Sequence, residues 1–173
     1  MTYRTKTYIA GDWDGDKNAI KKIYEWKESD WRTLDFVDAH KYTQARDGSL
    51  NCSIKQSLKT RLDVSKTFVL VVGDKTKTVT AGGCQHCYNY KKYISFARCL
   101  RDYSVDYRSY IEYECEQAVK AGIKIVVIYN SFRVDRNKCP DVLHSIGEHL
   151  PMYYKRDNTT YWNYNAIKNA ICD

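Results

Sequence analysis

The sequence predicts an α/β fold: a doubly wound, five-stranded parallel sheet with helices on both faces. Three observations carry this prediction. Thr67 to Val72 (TFVLVV) is apolar or β-branched at every position and stops at Gly73-Asp74, as expected of a strand buried on both faces. Ile123 to Tyr129 (IKIVVIY) repeats that pattern. Segments with apolar residues at helical spacing lie between such runs, and right-handed crossovers then place helices on both sides of one sheet.

Taken in order, Lys6 to Ala10 is β-rich and runs into the turn Gly11-Asp12-Trp13-Asp14-Gly15-Asp16, after which Ala19, Ile20, Ile23 and Tyr24 recur at helical spacing. Leu34 to Ala39 (LDFVDA) predicts a short second strand, and His40 to Asp47 a polar loop. Ile54, Leu58 and Leu62 give a second helix before the TFVLVV strand. Ile111, Cys115, Ala118 and Val119 share one face of the next helix, which Gly122 closes. Met152 to Tyr154 predicts a short fifth strand; Trp162, Ala166, Ile167, Ala170 and Ile171 predict a last helix. Five strands so connected suggest the flavodoxin-like order 2-1-3-4-5.

The 173 residues suit a single domain, 1–173, with 79–106 read as a Cys-, Tyr- and Lys-rich insertion between the third strand and its helix. The opening MTYRTKTYIAGDWDGD lacks the apolar stretch of a signal peptide, and no run is long enough to span a bilayer, so the expectation is a cytoplasmic protein with no membrane partner. The net charge of +7 is scattered over helices (Lys55, Lys59, Arg61) and loops (Lys75, Lys77, Lys91, Lys92), which reads as a solvated face and not as a specific nucleic-acid site. Seven Cys, none of them in the two long apolar strands, fit reduced thiols or a metal site better than a disulfide framework.

Open parallel sheets bind ligands beyond the carboxyl ends of their strands. Gly11, Asp12, Trp13 and Asp14 follow the first strand there, and the helix containing Tyr110 and Glu114 starts there. Ser109 and Glu112 have the S-x-x-E spacing of a capping box, which gives Glu112 a structural task. Helical phase puts Glu114 at the flank of the buried stripe near Tyr110, with Glu112 and Glu116 on the opposite flank. A half-buried carboxylate beside the crevice is a candidate active-site acid.

These residues resemble a family. Tyr110-Ile111-Glu112-Tyr113-Glu114, followed by a helix and IKIVVIY, looks like the TIR-domain helix that carries an aromatic residue and, four positions later, the glutamate that cleaves NAD+. The wider pattern (TYIAGDWDGD, SIKQSLKTRLDVSKTFVLVVG, YRSYIEYECEQAVKAGIKIVVIY) resembles the TIR-like, MTH538-type family that includes the ThsB component of Thoeris antiphage systems. The resemblance implies a TIR-like fold with Glu114 catalytic and with Gly11, Asp12, Trp13, Asp14 and Tyr110 around the substrate. It also implies cleavage of NAD+, as substrate and not cofactor, to nicotinamide and ADP-ribose or a cyclic ADP-ribose-type messenger. A homo-oligomer and a downstream effector protein are the implied partners. The usual aromatic-Ser turn after the first strand is here Ala10-Gly11-Asp12, and the 79–106 insertion exceeds a plain TIR loop.

Two other chemistries compete on the residues alone. Asp12, Asp14, Asp74, Ser131 and Lys155 follow strands in the loose layout of a non-enzymatic receiver-like domain that binds Mg²⁺ and takes an aspartyl phosphate. Cys84-Gln85-His86-Cys87 has C-x-x-C spacing, half of a structural zinc site, with Cys99 and Cys139 as further ligands. His40 falls where TIR domains carry a loop used for assembly or for covering the nucleotide.

Overall fold

The computed structural model describes residues 3–31, 34–38 and 50–172. Its centre is a four-stranded, all-parallel sheet of β1 (Lys6–Ala10), β2 (Ser65–Val72), β5 (Lys124–Tyr129) and β6 (Glu148–Pro151), side by side in that order. Period-two alternation sorts the strand side chains onto two faces. Tyr8, Phe68, Leu70, Val72, Val127 and Tyr129 point to one face, which is covered by α2 (Asn51–Asp63) and α3 (Tyr110–Ala121). Ile9, Val69, Val71, Val126 and Ile128 point to the other, under α1 (Lys17–Glu28) and α4 (Tyr164–Cys172). Two helices on each face make the sheet doubly wound.

Over its described residues, 34–38, the expected second strand is an extended segment. Leu34, Phe36 and Asp38 are buried and Asp35 and Val37 exposed, so the period is that of a strand, and among the described residues the ladder to β1 is one parallel bridge, Thr7 with Asp38. The Leu34 N–H explains this: it donates to the Trp26 carbonyl at the end of α1 (3.1 Å), which ties the start of the segment to the helix and away from the sheet edge. Ala39 and the loop from His40 to Asp47 lie outside the described residues.

The last strand of the sheet is also displaced from its expected place. β6 ends at Pro151; Met152 still donates its N–H to the Tyr129 carbonyl of β5 (2.7 Å) and buries its side chain, and Tyr153 begins a hairpin, β7 (Tyr153–Arg156) with β8 (Thr159–Trp162). The hairpin turns on Asp157 and Asn158, both left-handed (φ 49° and 61°), which suits a two-residue turn. Trp162 therefore belongs to β8 and not to the last helix, where it packs edge-on against Trp26 (6.0 Å between ring centres). β6 is an edge strand, so polar Glu148 and His149 and a terminal Pro151 are tolerated there, and its sequence does not read as a strand.

Residues 73–109 connect β2 to α3. They hold a short helical turn (Cys84–His86) and a small hairpin of β3 (Tyr90–Lys92) with β4 (Ala97–Cys99). Asn51 Nδ2 donates to the Gly83 carbonyl (3.2 Å), and the Tyr110 N–H donates to that of Ala81 (2.8 Å), stapling this connection to the starts of α2 and α3. Among the described residues no helix is long and apolar enough to cross a membrane.

Candidate active site

The start of α3 is fixed locally, as the spacing predicts. Ser109 Oγ accepts from the Glu112 N–H (3.1 Å) and Glu112 Oε2 accepts from the Ser109 N–H (2.7 Å), a complete capping box. Gly122 ends the helix in the left-handed conformation (φ 61°). Three glutamates on this helix then have separate surroundings. Glu112 caps; Glu116 takes Arg108 Nη1 (2.6 Å) at the surface; Glu114 turns inward and is 6% exposed.

Glu114 forms one wall of a cavity of about 300 Å³ at the carboxyl end of β1. Gly11, Asp12, Trp13 and Tyr110 line that cavity with it, so five of the six residues singled out from the sequence converge. Asp14 does not: it is exposed on the turn, with its N–H donated to Asp12 Oδ1 (3.2 Å). Gly11 fits because an added Cβ would come within 3.2 Å of the Val71 carbonyl oxygen on β2. The Tyr110 ring lies against Gly82, and its hydroxyl donates to Asn51 Oδ1 (2.8 Å). Trp13 is half exposed at the mouth and tilts against Tyr24.

Two residues of the cavity carry chemistry that the sequence reading missed. The Tyr8 hydroxyl on β1 donates a hydrogen bond to Glu114 Oε1, and Arg61 on α2 lines the same cavity. Burial pushes the Glu114 carboxyl up to about 7, while the Tyr8 hydrogen bond and the Arg61 charge pull the other way. Tyr8 is itself raised well above an ordinary phenol, by burial first and then by the Glu114 charge. A carboxyl poised near neutrality in a ligand-sized hollow can stabilise a developing cation or accept a proton.

A wider hollow of about 610 Å³ lies beside this cavity, between α2 and residues 104–108. Its charges are already matched: Lys55 pairs with Asp106 (3.2 Å), and Arg108 pairs with Asp106 (2.7 Å) and Glu116.

The other candidates do not gather. Asp74 is exposed and pairs with Lys138 (2.6 Å), while the Lys155 ammonium sits over the Phe132 ring (5.1 Å). Ser131 Oγ donates to the Arg133 carbonyl. Of the aspartates that follow β1 it is Asp16, not Asp12 or Asp14, that is buried; it takes Asn130 Nδ2 (2.9 Å) and is raised chiefly by burial. Cys84 Sγ accepts from the Asp106 N–H (3.2 Å), Cys87 follows the helical turn, Cys99 lies on β4, and Cys139 is buried in the core beside Tyr129. His86 is exposed on the same turn, and His40 lies outside the described residues. Among the described residues no group of three or more His, Cys, Asp or Glu is placed to hold a metal ion.

Residues 8–81 match the family model described as Thoeris protein ThsB, TIR-like domain, the family that the residues resemble. The matched stretch is less than half of the chain; it runs from β1 through α1, α2 and β2 and includes Tyr8, Gly11 to Asp14 and Arg61, with Glu114 beyond it. No curated protein matches the chain.

Proposed function

With the match to the ThsB TIR-like domain as premise, we propose that the chain is a signalling enzyme of antiphage defence that cleaves the nicotinamide glycosidic bond of NAD+. The products are nicotinamide and ADP-ribose or a cyclic ADP-ribose-type messenger. The observation that carries the reading is Glu114: a carboxyl buried in a cavity wall, tuned to about 7, four positions after an aromatic residue that lines the same cavity.

The chemistry follows from that placement. Nicotinamide leaves with the bonding electron pair and becomes neutral, while C1′ of the ribose gains oxocarbenium character. The Glu114 carboxylate, itself buried in the cavity wall, faces that positive charge and stabilises it. Water, or a ring nitrogen of the adenine, then bonds to C1′. In hydrolysis the water gives up a proton, which a carboxylate of near-neutral pKa is suited to accept. A cavity of about 300 Å³ is at the small end for ligands, so it suits the nicotinamide riboside half, with the rest of the dinucleotide outside. Self-association that completes the outer part of the site, and a separate effector that reads the product, belong to the same proposal.

Chromatography of NAD+ incubated with purified protein tests this. Wild type releases nicotinamide; Glu114→Gln loses activity on the order of 10²-fold or more. Glu116→Gln, changed at a surface ion pair, retains it. Absence of nicotinamide release by the wild type at every protein concentration, with and without agents that drive self-association, sinks the proposal.

A further inference from the structure

On the reading that Glu114 is catalytic, we propose that Arg61 is its positioning residue: acting with Tyr8, it holds the Glu114 side chain at the cavity wall for the reaction. Arg61 sits on the apolar stripe of α2, three residues after Leu58 and seven after Ile54, and all three line the cavity. It is 7% exposed. The neighbouring cation Lys59 instead reaches solvent and pairs with Asp63 (2.7 Å). A guanidinium held in that core is costly unless an anion matches it.

The anion is within reach. Arg61, Tyr8 and Glu114 line the same cavity, Tyr8 donates to Glu114 Oε1, and the positive charge of Arg61 favours the ionised form of both acids. The three side chains thus meet around one hollow. The backbone of Arg61 is anchored as well, because its carbonyl accepts Ser65 Oγ (2.7 Å) where α2 turns into β2. The other titratable groups around Glu114 are Tyr110 and Cys115 on its own helix and Asp12 after β1. None of these is a cation, which leaves Arg61 as the positive charge of this cavity among its lining residues.

The test follows Glu114 itself by ¹³C NMR of protein labelled at the glutamate side-chain carboxyl, assigned with Glu114→Gln, in wild type and Arg61→Gln. The Arg61→Gln change is expected to move the Glu114 midpoint up by about one pH unit, leaving roughly fivefold less carboxylate at neutral pH. In parallel, kcat for nicotinamide release near neutrality falls about fivefold with KM little changed, and recovers as pH rises past the new midpoint. Arg61→Lys, which keeps a cation, restores much of the loss. A folded Arg61→Gln with the wild-type midpoint, or a loss of rate that raising the pH does not restore, overturns the proposal. Should Arg61→Gln not fold, Arg61→Met carries the same measurement, since an apolar residue of similar length is tolerated where a buried charge was. The titration needs no turnover, so it stands even if NAD+ is not cleaved, whereas an active wild type with an unmoved midpoint removes Arg61 alone.

Discussion

Replacing Glu114 with Gln should stabilise the protein, and by an amount that depends on pH. Burial lifts the Glu114 carboxyl from 4.5 to about 7 in the folded state. Between those values the folded protein holds a proton that the unfolded chain has released, so stability contributed by the neutral acid is fully present below 4.5 and is lost as pH rises through about 7. The difference corresponds to about 3 kcal/mol. Gln keeps an oxygen to accept from Tyr8 and is neutral at every pH, so it avoids that loss. Thermal unfolding of both proteins across this range should show little difference at acid pH and a gain in Tm of about 6 to 12 °C for Glu114→Gln on the alkaline side. A difference that stays flat with pH, or a variant less stable than wild type at alkaline pH, would refute the reasoning that an ionised carboxylate is being held at a cost for its chemistry.

Three further outcomes follow from the same geometry. Ser109→Ala removes the acceptor for the Glu112 N–H and should cost about 1 kcal/mol in urea unfolding. Gly122→Ala meets no neighbouring atom, so its cost of about 1 kcal/mol should come from the left-handed backbone alone, and Gly122→Asn should recover part of it. Gly73→Ala is a different case: an added Cβ would fall 1.9 Å from Asp16 Oδ1, which must leave Asn130, and a loss of about 1 to 3 kcal/mol with a disturbed α1 start should be visible in unfolding and amide-exchange measurements.

What the sequence made legible was local. The TFVLVV run, the Ser109 and Glu112 spacing and the Gly122 stop each depend on residues within one element, and each appears in the structure close to where it was expected. Helical phase separated Glu114 from Glu112 and Glu116 for the same reason. Its partners were not legible, because Tyr8 lies 106 residues away and meets Glu114 only when β1 is placed under α3. Arg61 read as one more scattered cation, although its position on the Ile54 and Leu58 stripe was a usable signal. The displaced last strand has a similar cause: an edge strand needs little hydrophobic pattern, and Asp157-Asn158 signals a tight turn only once both residues are seen to be left-handed.

The most direct measurement of the central claim is a crystal structure of Glu114→Gln soaked with NAD+. The account places the nicotinamide riboside in the cavity between Gly11, Asp12, Trp13 and Tyr110, with the C1′ to nitrogen bond in contact with the side chain at position 114. A dinucleotide bound elsewhere, with that cavity empty and Tyr8 and Arg61 undisturbed, would contradict it.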